Sequence, residues 1–254
     1  MSTARPAYSL FRVTAQQVER VTPHMKRITI DGSCLSEFRI GLPAQWLKVF
    51  APAADGRTTA GRAYTVRRFD PVSRRLDLDF VLHGDNGPVS AWAARVKAGD
   101  SFEISGVHPR SGFPIEPSTK RYLLFGDETA LPAIGGIIEA LPAHAQADVF
   151  VEVADAREEQ VVHSAAAANL TWLHRDDGCN GASRLERAAK ALGRPDDNTA
   201  IWVAAESSAV QSIRKHALSE WGVDRKLLHA AGYWKRGEAD HKDEEGDAKA
   251  QRRA

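Results

Sequence analysis

Near Arg121 the hydrophobic period of this chain changes for good, after a strand region with one short helical insertion. Before that point, short apolar runs alternate residue by residue. Trp46-Leu47-Lys48-Val49-Phe50 and Leu76-Asp77-Leu78-Asp79-Phe80-Val81-Leu82 have the two-residue period of a strand with one buried face. Phe11-Arg12-Val13, Met25 to Ile30, Gly61 to Arg67 and Asp100 to Ile104 read the same way. Turns fall at Thr22-Pro23-His24 and Asp31-Gly32-Ser33, and a loop runs from Ala51 to Thr59. About six short strands in the first 106 residues predict a small antiparallel Greek-key β-barrel. After Arg121, buried strands alternate with helical stripes. The strands are Tyr122 to Phe125, Asp148 to Val153, Leu170 to Leu173, Ala200 to Ala204 and Lys226 to Ala230. The helices run from Leu131 or Pro132 to Ala140, along Leu185, Ala188, Ala189 and Leu192, and along Val210, Ile213, Ala217 and Trp221. That order implies a parallel sheet with helices on its faces.

The predicted class is therefore a two-domain α+β protein. An antiparallel barrel covers 1–118 and an α/β parallel-sheet, nucleotide-binding-like domain covers 119–237. The segment 238–254, almost without apolar residues, is expected to be a disordered charged tail. With 254 residues, each domain can bury its own core. Lys plus Arg (34) nearly balances Asp plus Glu (33), which argues against a dedicated nucleic-acid or membrane surface. Cys34 and Cys179 match no metal spacing and imply no disulfide framework. No signal-like segment opens the chain, and no run approaches the roughly 18 apolar residues of a membrane span, so the cytoplasm is the expected place. A monomer is expected separately.

Two stretches carry chemistry on their own terms. Arg62-Ala63-Tyr64-Thr65 places a guanidinium suited to phosphate, a flat ring and a small hydroxyl close together on one strand, a trio that suits a flavin nucleotide. An ordinary exposed barrel strand would read the same. Behind His83-Gly84-Asp85-Asn86-Gly87, the residues Val89, Trp92, Ala93 and Val96 follow a helical period, with Pro88 at the first position and Gly99 beyond the end. The start of such a helix, with Ser90 nearby, is a natural diphosphate site. A capped surface helix is the alternative.

These two stretches are followed by Gly126-Asp127-Glu128-Thr129-Ala130-Leu131-Pro132-Ala133 and by Ala231-Gly232-Tyr233-Trp234-Lys235-Arg236-Gly237. In that order, and with Val21-Thr22-Pro23-His24-Met25-Lys26-Arg27, they resemble the siderophore-interacting proteins, FAD-dependent ferric-siderophore reductases of the ferredoxin-reductase-like superfamily. The resemblance runs from about Val18 to Gly237. It implies FAD in the cleft between the two domains. Arg62 would face its diphosphate, Tyr64 would pack on the isoalloxazine, and Thr65, followed by Val66, would reach the reactive edge. His83, Gly87, Val89 and Ser90 would serve the adenine side and the phosphates, with a histidine bonded inside the barrel as the alternative for His83. Thr129 and Ala130 would approach the flavin, and Tyr233 and Trp234 would close over it unless they only pack the domains.

Lys48, Arg110, Lys235 and Arg236 would hold an anionic ferric siderophore, or else are four solvated surface charges. The segment Gly106 to Gly112 departs from the family's usual form. The resemblance implies no acid/base residue and no protein-bound metal, because the chemistry is electron transfer. The electron donor stays open between NAD(P)H and a ferredoxin. No G-x-G-x-x-G fingerprint follows the first strand of the second domain. Asp155 suits a ribose diol and Arg157 a 2′-phosphate, and Glu206 lies where superfamily members meet the nicotinamide. Two other functions fit the same motifs: a general NAD(P)H:flavin or ferredoxin reductase, and a non-catalytic flavin or siderophore carrier.

Overall fold

The computed structural model describes residues 9–53, 57–83, 87–175 and 183–238. Cys179, the Gly84-Asp85-Asn86 part of the glycine loop and the tail beyond Glu238 lie outside the described residues. The chain divides into two compact units, with the main break between Pro114 and Ile115 and with Gly135–Ile137 grouped with the first.

The first unit is a closed six-stranded barrel. Its strands are β1 (Leu10–Thr22), β2 (Met25–Asp31), β3 (Trp46–Phe50), β4 (Arg62–Asp70), β5 (Arg75–Val81) and β6 (Ser101–Ser105), in the order β1-β2-β5-β4-β3-β6. Every neighbouring pair is antiparallel. Alternation fills the interior: Ile28, Ile30, Leu47, Val49, Leu76, Leu78, Phe80 and Ile104 are fully buried. The other face of β5 is also covered, which its Asp77 and Asp79 tolerate only because each meets a cross-strand donor. Arg27 pairs in register with Asp79 and bonds it twice, at 2.6 and 2.8 Å, and Thr29 donates to Asp77 at 2.7 Å. The helix α1 (Pro88–Arg95) interrupts the barrel as its period predicts and buries Trp92 against Phe102, 4.8 Å between ring centroids.

The second unit is a five-stranded parallel sheet. In chain order its elements are β7 (Arg121–Asp127), α2 (Leu131–Ala140), β8 (Gln146–Val153), β9 (Ala167–His174), α3 (Arg184–Ala191), β10 (Thr199–Glu206), α4 (Ser207–Ser219) and β11 (Leu228–Trp234). The sheet order is β11-β10-β7-β8-β9, so winding reverses between β7 and β10. Gly126, at the end of β7, allows the close approach of α2: a Cβ there would lie 2.6 Å from Ile134 Cδ1 and 2.7 Å from Ala130 Cβ. The last strand differs from its predicted span. Asp224 takes the Lys226 N–H at 2.9 Å and caps a 3₁₀ turn over Arg225–Leu227, so the strand begins at Leu228 and carries on through Tyr233 and Trp234. Among the described residues, no helix is long and apolar enough to cross a membrane.

Candidate functional site

In the barrel, β3 and β4 pair with Trp46 opposite Thr65, Leu47 opposite Tyr64, and Lys48 opposite Ala63. Residues directly opposite each other share a face. Leu47 is fully buried, and the Tyr64 ring beside it sits 4.3 Å from that of Phe80. Burial pushes the Tyr64 phenol well above its ordinary pKa, against a smaller opposing effect of Arg62, so it stays neutral. Val66 belongs to the barrel core. Arg62, two residues before Tyr64, is half-buried, with Nη1 3.4 Å from the Ala60 carbonyl and 3.5 Å from that of Gly61.

Thr65 is buried on the outer face with Trp46, whose indole stacks on His108 at 4.4 Å and 16°. The loop after β6 is tied there by three bonds: His108 N–H to Trp46 C=O at 2.8 Å, Trp46 N–H to Ser111 Oγ at 3.3 Å, and Ser111 Oγ–H to His108 C=O at 2.7 Å. Lys48 lies two residues along β3 from this stack. Arg110 lies two residues beyond His108, its N–H directed at His108 Nδ1 at 3.4 Å. The backbones of these two predicted residues thus adjoin one aromatic pair.

At the start of α1, Gly87 is the extended N-cap and offers no side-chain cap. The first bond of the helix ladder is Ala91 N–H to Gly87 C=O at 2.8 Å. Ser90 is buried, its hydroxyl turned to Val81 C=O at 3.4 Å. His83 is exposed, which rules out the histidine inside the barrel. A guanidinium, a neutral aromatic ring and a helix start with backbone donors form a set that fits a flavin nucleotide.

In the second unit, the predicted residues cluster where the winding reverses, the end of a parallel sheet at which α/β folds bind ligands. Asp127, at the end of β7, organises them. Its Oδ1 accepts from Thr129 N–H (2.9 Å) and Thr129 Oγ1–H (2.5 Å), and its Oδ2 from Trp234 Nε1–H (2.7 Å) and Glu206 N–H (3.2 Å). Ala130 is fully buried beside them, and Tyr233 meets Trp202 edge to face at 6.2 Å.

Glu206 caps α4, accepting from the Ser208 and Ala209 N–H groups and the Ser208 hydroxyl, and also takes the Arg236 N–H at 3.3 Å. Burial works to raise its pKa, but these donors outweigh it and hold the carboxyl below its usual range. Lys235 is exposed and paired with Glu238 at 2.6 Å. Asp155 and Arg157 bond each other at 2.7 and 3.0 Å.

The comparisons with known proteins agree over most of the chain. The family model "Siderophore-interacting protein" matches residues 119–237, and "Siderophore-interacting FAD-binding domain" matches 14–61 and 54–111. The ferric vibriobactin reductase ViuB of Vibrio cholerae is 30% identical over 236 residues, covering 85% of this chain and 86% of ViuB. The chain belongs to the siderophore-interacting protein family. Its cofactor is FAD. A solved siderophore utilization protein from T. fusca shares 34% identity over 92% of this chain and 95% of its own, with a TM-score of 0.82. The mycobactin import ATP-binding/permease protein IrtA of Mycolicibacterium smegmatis is 29% identical, and the chain spans about a quarter (26%) of its length. The fold is ferredoxin-reductase-like, as in a ferredoxin NADP+ reductase from Neisseria gonorrhoeae, with 16% identity and a TM-score of 0.70.

This siderophore-interacting protein also carries groups that the motifs did not single out. Arg175, just after β9, bonds both oxygens of Glu128, one of them at 2.7 Å, and reaches Glu152 at 3.0 Å. Glu152 in turn accepts from Ser183 Oγ–H (2.5 Å) and Leu185 N–H (3.1 Å) at the start of α3. Burial alone would raise the Glu152 pKa, but Ser183, Leu185 and Arg175 bring it below the usual range. The signal for this network was positional: acidic residues at the ends of buried parallel strands.

Proposed function

We propose that the chain is a FAD-dependent ferric-siderophore reductase that reduces siderophore-bound Fe(III) to Fe(II) and so releases the iron inside the cytoplasm. The carrying observation is the Arg62-Ala63-Tyr64-Thr65 strand together with the helix that starts behind Gly87, in a chain related to ViuB along most of both lengths. Arg62, with Gly87, Val89 and Ser90 at the helix start, would bind the diphosphate, and His83 would serve the adenine side. Tyr64 would carry the isoalloxazine, with Thr65 and Val66 at its reactive edge. Thr129 and Ala130 would approach the flavin, and Tyr233 and Trp234 would close over its ring.

When bound, FAD supplies the exchange of an electron pair from a donor, NAD(P)H or a ferredoxin, for single electrons to iron. Hard oxygen ligands hold Fe(III) tightly and Fe(II) less so, which makes reduction a release step. An anionic ferric complex suits cationic contacts, for which Lys48, Arg110, Lys235 and Arg236 are the proposed donors. Lys48 stands two residues along β3 from Trp46 and Arg110 two residues beyond His108, the two rings of one stack, which supports their part of this reading. Asp155 and Arg157 are bonded to each other and favour neither donor.

The test is anaerobic photoreduction of the FAD-loaded protein, followed by a ferric siderophore and an Fe(II)-specific chelator. The reductase gives flavin reoxidation and captured Fe(II) together. A reduced flavin that persists would make the protein a carrier.

A further inference from the structure

We propose that Asp127 is a positioning residue: while ionised it fixes Thr129 and the Trp234 indole at the end of the parallel sheet, and when protonated it turns the Thr129 hydroxyl outward and loosens the indole. The consequence for catalysis rests on the proposed function, which sets Thr129 and Trp234 against the flavin.

Asp127 is 3% exposed and takes four donors on two oxygens, drawn from the β7–α2 turn, the end of β10 and the end of β11. Only an ionised carboxylate accepts all four without conflict. Of those donors, indole and backbone N–H groups can only donate, whereas a hydroxyl can also accept. A proton on Oδ2 would point at the N–H groups of Trp234 and Glu206. The place that fits it is Oδ1, directed at Thr129 Oγ1. The Thr129 hydroxyl then reverses, accepts from Asp127 and sends its own hydrogen to another acceptor. The indole bond to Oδ2 loses its charge assistance and weakens.

The surroundings make this proton available near neutral pH. Burial first, and then the neighbouring Glu128 charge, raise the Asp127 pKa to about 6, against hydrogen bonds from Thr129 and Trp234. The charged groups around it are Glu128 in its own turn, Glu152 opposite it on β8, Arg175 after β9, Glu206 at the end of β10, and Lys235 and Arg236 after β11. Arg175 is committed to Glu128 and Glu152, and Lys235 to Glu238, so they do not replace the four donors.

The test is NMR of the full chain without added FAD, following the Asp127 carboxyl carbon and the Trp234 indole N–H from about pH 4.5 to 8. Both should move together with a midpoint near 6. Thr129→Val and Trp234→Phe, each removing a donor that favours the ionised form, should raise the Asp127 midpoint. Asp127→Asn should leave the Trp234 resonance independent of pH, and if that variant does not fold, the other two decide. A Trp234 resonance that stays flat in the wild type, that titrates equally in Asp127→Asn, or a Thr129→Val midpoint that does not rise would overturn the proposal. A chain that never takes up FAD but shows these titrations would break the flavin reading and support the role of Asp127. Flat titrations in a chain that does bind FAD would do the reverse.

Discussion

The two units build their candidate sites in opposite ways. In the barrel, Arg62, Tyr64 and Thr65 sit within four residues of one strand, and their neighbours are set by the β3–β4 register. In the parallel-sheet unit, Asp127 is held by partners 79 and 107 residues away, and Glu128 by Arg175, 47 residues away. The barrel's site is written along a strand, so short motifs reveal it. The other site is assembled at the ends of separate strands, and only the strand order brings it together. Their electrostatics differ accordingly: a cation next to a neutral ring on one side, carboxylates satisfied by donors and a single guanidinium on the other.

If the barrel site depends on one local cation, its removal should have the largest effect in the molecule. Arg62→Ala should weaken FAD binding by about 3 kcal/mol, on the order of a hundredfold, because a charge-assisted contact to the diphosphate is lost. Titration of flavin-free protein measures this, and unchanged affinity would place the diphosphate elsewhere.

The assembled site should respond through stability. Arg175→Met leaves Glu128 and Glu152 beside Asp127 with no shared cation, which should cost about 2 kcal/mol in urea unfolding at neutral pH, a figure reduced for the partial exposure of the guanidinium. The pH dependence has two opposed parts. Glu152 and Glu206 have depressed pKa values in the folded state, so their contribution is present above the ordinary glutamate value of 4.5 and is lost as pH falls through their lower folded values. Asp127 is raised, so its contribution is full below 3.8 and is lost as pH rises through about 6. The cost of Arg175→Met should therefore shrink in acid, where Glu152 takes up a proton. A cost independent of pH would show that the guanidinium acts through packing alone.

The smallest effect separates backbone from site. Arg74, in the β4–β5 hairpin, has φ 54° in the left-handed region, so Arg74→Gly should raise stability by up to about 1 kcal/mol and leave flavin affinity unchanged.

This contrast also explains what was legible in the sequence. The six barrel strands follow from alternation, and α1 from Pro88 and a 3.6-residue stripe, because both depend on near neighbours. The parallel sheet was legible as a class from its strand and helix order. The continuation of β11 through Trp234 was not, since it rests on pairing with β10 rather than on local pattern. Nor was the donor set of Asp127: nothing local in Gly126-Asp127-Glu128-Thr129 ties the first carboxylate to Trp234 or Glu206, and only the sheet order brings their N–H groups to it. Lys235 and Arg236 are legible as cations, but the pairing of Lys235 with Glu238 and the bond from the Arg236 backbone N–H to Glu206 are not.

On the proposed function, electrons pass from FAD to an anionic ferric complex held by cations. Stopped-flow reoxidation of the photoreduced protein tests it most directly, with the wild type and the Lys48→Ala, Arg110→Ala, Lys235→Ala, Arg236→Ala combination mixed against rising concentrations of an anionic ferric siderophore. The wild type should be reoxidised with a saturable dependence that weakens as salt screens exposed charges over about 10 Å at 0.1 M. The combined variant should need more complex to reach the same rate, while its flavin is reduced as before. A wild-type flavin that the ferric complex does not reoxidise would contradict the claim outright, and a variant with the wild-type concentration dependence would remove the cations from it.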